Sequence, residues 1–257
     1  MFFYKGMEEA TQGMIAMKAM QNILSNNLAN ANTPGFNQDD LQLSSFSDAY
    51  ATAMAHGGEG VQAGFVPVGG QLSGRVHLLM KSVTQFSQGQ LKHTRQPFDL
   101  ALDGKGFFTI ETPTGVQYTR DGSFTVNGQG FLATQDGGLV LGQHGPIQIK
   151  GGTFKVNQDG TVSVSGKPVD KLKITWVDEN DLKQVGTNGF KTINPMAWPS
   201  EKKPKVMQGY LEMSNVNAIK DMVSMLTVLR TFEADSKMLH GEDNMAKQVI
   251  QTSQVNF

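Results

Sequence analysis

The chain has 257 residues, enough to bury a core in one large domain or two ordinary ones, and its charge is nearly balanced, 22 Lys and Arg against 23 Asp and Glu. With 18% charged residues and no basic excess, nothing in it attracts nucleic acid or an anionic membrane. The absence of cysteine excludes disulfides, thiolate catalysis and cysteine-ligated zinc together.

The first twenty residues are interrupted by Glu8, Glu9, Thr11 and Gln12 and do not read as a cleaved secretory signal. From residue 7 to 31, Met7, Ala10, Met14, Met17, Leu24, Leu28 and Ala31 recur at spacings of three and four, with Gln21 the polar member. This is an amphipathic helix with a stripe narrow enough for a coiled-coil seam, although an ordinary core helix carries the same pattern. Pro34 disfavours helical geometry at Thr33, and Gly35 permits a positive-φ turn. Residues 37–96 are an extended connector with a Gly-rich patch from Gly57 to Gly74 and one or two strands.

From residue 97 the turn dipeptides Asp103-Gly104, Asp121-Gly122, Asn127-Gly128, Asp136-Gly137, Asp159-Gly160 and Asn188-Gly189 follow in quick succession. Segments between them, such as FFTIET, VQYTR and LKITWV, alternate or are β-branched and aromatic, so residues 97–208 form an antiparallel β-rich domain. Beyond it, Met222, Met225, Leu229, Phe232, Ser236, Leu239, Asp243, Ala246 and Ile250 repeat the three-four spacing, with Asn217 as N-cap. The first half of this helix is apolar on a second face as well, through Ile219, Val223 and Leu226. No 18 apolar residues run together, so no transmembrane helix is expected. The expected fold is α+β: long N- and C-terminal helices pairing as a coiled coil, residues 1–36 with 209–257, around the central antiparallel domain. Two greasy helices at the ends of one chain argue for assembly, since a monomer would expose them to water.

Catalytic constellations do not stand out. His56, His77, His93, His144 and His240 are scattered without metal-ligand spacing, and neither GxSxG nor a Walker lysine motif occurs. Gly104-Lys105-Gly106 and Gly128-Gln129-Gly130 lack the third glycine of a dinucleotide loop. No enzyme, cofactor or metal is expected.

Asn26 to Phe36 reads NNLANANTPGF, which resembles the signature of flagellar rod and hook axial proteins. Phe86 to Leu132 resembles the stretch where those proteins enter their β-domain, and GYLEMSNVNAIKDMVSMLTVLRTFEADSKM, from Gly209 to Met238, their C-terminal helix and its lead-in. The resemblance implies a self-assembling subunit of the basal-body rod, exported by the flagellar apparatus without a cleaved signal. Its terminal helices would form an inner coiled-coil layer and its β-domain an outer one. Its partners would be copies of itself and other rod and hook proteins, with no nucleic acid and no membrane insertion. Residues Val140 to Ile149 lean towards the proximal rod protein, while QGYLEMSNVN fits the distal one equally. The assembly interface would comprise Met14, Met17, Leu24, Leu28, Asn26, Asn27, Asn30, Asn32, Pro34, Gly35 and Phe36 at one end. At the other end it would comprise Asn215, Asn217, Met222, Met225, Leu229, Phe232 and Leu239. The alternatives are a hook-like axial protein and a secreted β-rich binding module with a helical dimer stalk.

Overall fold

A computed structural model describes residues 2–45, 66–67, 78–192 and 204–254. The chain divides into two compact units, one made of residues 1–29, 39–85 and 217–257, the other of residues 30–38 and 86–216.

In the second unit every described strand pair is antiparallel. Its largest sheet runs in the order 182–185, 189–192, 115–119, 107–112, 139–140, 132–133, 125–126, and 174–175 also pairs with 107–112. A three-stranded sheet (154–156, 161–164, 167–171) and two ribbons (205–208 with 100–103, and 210–212 with 91–93) complete it. The strand 107–112 shows why these residues take this form, because its alternating side chains enter two different cores. Phe108 and Ile110 join Leu100, Leu102, Phe124, Leu132 and Val140 in the larger cluster, whereas Phe107 joins Tyr118, Val177 and Phe190 in the smaller. Between them the buried Thr109 hydroxyl shares a 3.0 Å hydrogen bond with that of Thr175, so its burial leaves no polar group unpaired.

The turn dipeptides do different jobs. Gly104, Gly137 and Gly160 take positive φ, as hairpin turns ask. Gly122 does not; a Cβ there would meet the Leu100 carbonyl, its carbon 2.7 Å away, so this glycine permits a close backbone approach instead.

The first unit holds α1 (Phe2–Ala29, 28 residues), α2 (Ala218–Gln254, 37 residues) and a three-stranded sheet in which 78–84 lies between 39–45 and 66–67. Strand 39–45 is registered on the central 78–84 from Asp39 opposite Thr84 to Ser45 opposite Leu78. The Gly57–Gly74 patch, apart from 66–67, lies outside the described residues.

The expected closure of two long terminal helices into a coiled coil is corrected by the burial along them. A sealed seam would bury both stripes, yet Met222 is 48% and Phe232 37% exposed, and Met225, Leu229 and Leu239 are only half-buried. Among the described side chains the buried apolar position of α2 is Val228, outside the predicted stripe, and on the shorter α1 Gln12 and Ala16 are buried outside the stripe while of its members only Leu24 is buried. The physical reason is that apolar residues of α2 are spread over more than one face, so no single seam collects them.

Candidate assembly site

In the helical unit the end of α1 is organised by Asn27, whose side chain is fully buried. Its Nδ2 donates to the Asp39 carbonyl at 2.8 Å and its Oδ1 accepts the Asp39 N–H at 3.0 Å. The amide thus imitates a neighbouring strand and satisfies both backbone groups of Asp39 where 39–45 begins. The Thr84 hydroxyl donates to the Asp39 carboxylate at 2.7 Å, tying in the partner strand. At the start of α2, Asn217 Oδ1 accepts the Lys220 N–H at 3.1 Å, an N-cap that leaves the first turn ordered. Asp221 in that turn is 3% exposed, and its Oδ2 has no hydrogen-bond partner. Burial pushes its carboxyl above the ordinary range; Lys220 and the Asn27 side chain pull it back, and Asp40 adds to the rise.

In the β-rich unit the centre is the loop Pro34-Gly35-Phe36. The Thr33 N–H closes a turn on the Asn30 carbonyl at 3.1 Å, and its hydroxyl reaches Asn30 Oδ1 at 3.2 Å. The Gly35 N–H then donates to the Glu212 carbonyl at 2.8 Å, with φ at +68°. A Cβ on Gly35 would lie 2.6 Å from Arg120 C and Asp121 Cα and closer still to Asp121 N, so only glycine fits. Phe36 is 2% exposed. Asn188 Nδ2 donates to the Pro34 carbonyl at 3.1 Å and to Asp121 Oδ2 at 3.2 Å. The Gln38 N–H donates to Asn215 Oδ1 at 2.7 Å, and Asn215 Nδ2 donates to the Ser87 carbonyl at 3.0 Å.

Behind the loop lies a buried ion pair. Arg120 Nη1 meets Glu212 Oε2 at 3.2 Å, with the side chains 7% and 4% exposed, and the guanidinium stands 5.3 Å from the Phe107 ring centre. Glu212 Oε1 accepts the Gly89 N–H at 3.1 Å. Burial lowers the Arg120 pKa and raises that of Glu212, in each case against the pull of the partner.

The residues singled out from sequence therefore fall into separate groups. Leu24 and Asn27 are buried in the helical unit; Met14, Met17 and Leu28 are half-buried there, and Asn26 is exposed. Asn30, Pro34, Gly35, Phe36 and Asn215 come together in the β-rich unit, with Asn32 exposed. Asn217 is an exposed cap; along α2, Met222 and Phe232 are exposed while Met225, Leu229 and Leu239 are half-buried. Sequence reasoning missed Arg120, Glu212, Asn188 and Asp221. Arg120 and Glu212 stand inside stretches that carry the family resemblance, but a charged residue beside a turn reads as surface.

Comparison with known proteins converges on one family. The chain matches the family models described as "Flagella basal body rod protein" over residues 7–37, "Flagellar hook protein FlgE/F/G D1 domain" over 101–164 and "Flagellar basal body rod FlgEFG protein C-terminal" over 207–252. It is similar to the flagellar basal-body rod protein FlgG of Caulobacter vibrioides, 32% identical with 96% of this chain and 98% of that one covered. The FlgG of Buchnera aphidicola subsp. Baizongia pistaciae is 31% identical, with coverages of 93% and 96%. The rod protein FlgF of Caulobacter vibrioides is 29% identical, with 89% of each chain covered.

Proposed function

This chain belongs to the flagellar basal-body rod protein family, and we propose from that premise that it joins its neighbours in the rod through the exposed apolar face of α2. It is a structural subunit of the rod, not an enzyme; it works in motility and assembles with other axial flagellar proteins. The 32% and 31% identities to the Caulobacter and Buchnera FlgG, against 29% to the Caulobacter FlgF, favour a FlgG-type subunit. Delivery by the flagellar export apparatus belongs to the same reading. So does a division into terminal segments 1–36 and 209–257, a connector 37–96 and a β-rich domain 97–208.

One observation carries the assembly reading. Ile219, Met222, Val223 and Leu226 follow helical spacing and are 77%, 48%, 59% and 57% exposed. Four large apolar side chains on one face of two turns form a patch of the kind that soluble proteins reserve for interaction. Full burial of such a side chain contributes about 1.5–3 kcal/mol, roughly half of which is still to be gained at Leu226. In the rod this gain recurs at each subunit.

Leu226→Asp tests it; only the part of that burial already made in the free chain is lost, about 1 kcal/mol, a small share of a domain's stability. The variant should stay folded, melting within a few degrees of the wild-type chain, yet be missing from purified basal bodies, and its cells should not swim. Lys237→Asp, at an exposed position outside the patch, should be mild. Normal rods built from Leu226→Asp subunits would sink the reading.

A further inference from the structure

We propose that Glu212, with Arg120 as its buried counter-charge, is a positioning residue: it clasps residues 30–38 to residues 209–216 on the β-rich unit and so fixes their spacing before a subunit is incorporated. The inference rests on the reading of the chain as a rod subunit. Residues 30–38 continue from α1, and residues 209–216 lead into α2. Their spacing therefore fixes where the chain leaves the β-rich unit on both sides.

Glu212 joins three segments at this junction and carries its charged pair, beside Asn215, which bonds Gln38 and Ser87. The Glu212 backbone carbonyl accepts the Gly35 N–H at 2.8 Å, its Oε1 the Gly89 N–H at 3.1 Å, and its Oε2 faces Arg120 Nη1 at 3.2 Å. Those two side-chain partners lie 123 and 92 residues away in sequence, so one carboxylate joins distant segments. Burial disfavours the charged form of both members even with the partner present. A pair of that kind contributes little to net stability, and apolar side chains of similar volume would pack as well. What apolar side chains cannot supply is direction. Two carboxylate oxygens aimed at two fixed donors admit one arrangement, whereas an apolar contact can slide.

Hydrogen exchange on the full chain separates a clasp from plain stability. Glu212→Gln keeps the size and one acceptor but removes the charge and turns an amide towards Arg120. It should speed exchange on the order of tenfold in residues 30–38 and 86–90, with the strand 107–112 unchanged. No change in the two segments, or an equal rise in 107–112, would overturn the proposal. If Glu212→Gln does not fold, Arg120→Lys, which keeps the charge but not the fork, supplies the same comparison. Swimming is scored in parallel. Faster local exchange together with loss of rods supports the clasp, and faster local exchange with normal rods overturns the positioning role. Unchanged exchange with lost rods refutes the clasp while leaving the rod reading intact.

Discussion

Replacing Gly35 by alanine should be among the most damaging single-methyl changes in the β-rich unit. Its φ of +68° costs a residue with a Cβ about 1–2 kcal/mol. The new methyl would also meet the backbone of Arg120 and Asp121, with Asp121 Cα at 2.6 Å, and no side chain can swing aside to relieve it. The loop must lift. Lifting gives up the 2.8 Å hydrogen bond to the Glu212 carbonyl, worth about 1 kcal/mol, and part of the burial of Phe36. Full loss of that burial costs about 1.5–3 kcal/mol, so the whole effect is roughly 3–6 kcal/mol, a large share of the 5–15 kcal/mol typical of a domain. Gly115→Ala is the control, since its φ is +106° and nothing lies within 4 Å of a Cβ there. Urea unfolding measures both, read as a shift in midpoint at constant m. Equal costs within about 0.5 kcal/mol would refute the close approach on which the reasoning depends.

Asn27→Asp removes the donor to the Asp39 carbonyl and adds a carboxylate near Asp221 and Asp40, so it should cost about 2–4 kcal/mol in the same assay. A cost below about 0.5 kcal/mol would mean that the amide is incidental. Asp221 has a pH signature. Its folded pKa is raised above the ordinary 3.8 by burial, so the stability it contributes is present below that value and is lost as pH rises through the folded one. Asp221→Asn should therefore raise the melting temperature by roughly 2–4 °C at about pH 8, with the gain vanishing near pH 3. An equal gain at both, or a loss at pH 8, would contradict the burial argument.

Much of this architecture is legible in the sequence, for reasons that particular elements make plain. FFTIET and its neighbours alternate because they line two cores, and turn dipeptides mark where the strands reverse. The limits of α1 show because Pro34 cannot continue a helix, and those of α2 because Asn217 caps it. Periodicity does not say what covers a stripe, and this is where the coiled coil went wrong: Met222 and Phe232 carry the spacing of a seam without its burial. The Asn-rich run was visible as a helix end. That Asn27 would pair with Asp39, while Asn30 closes a turn within the other unit, depends on contacts that a linear pattern does not record. The ion pair was hidden for a similar reason. Arg120 precedes an Asp-Gly dipeptide, where a charge is ordinarily solvated, and only the fold brings Glu212 beneath it.

The central claim is that the exposed face of α2 becomes an interface in the rod. With no native cysteine in the sequence, Val223→Cys places a single thiol on that face, at a position 59% exposed in the free chain. Its rate of modification by a maleimide can be compared between purified subunits and isolated basal bodies, with denatured rods giving the reference for full labelling. The account expects rapid labelling of the free subunit and protection on the order of tenfold or more in the rod, as burial against a neighbour requires. Equal labelling in the two states would contradict it.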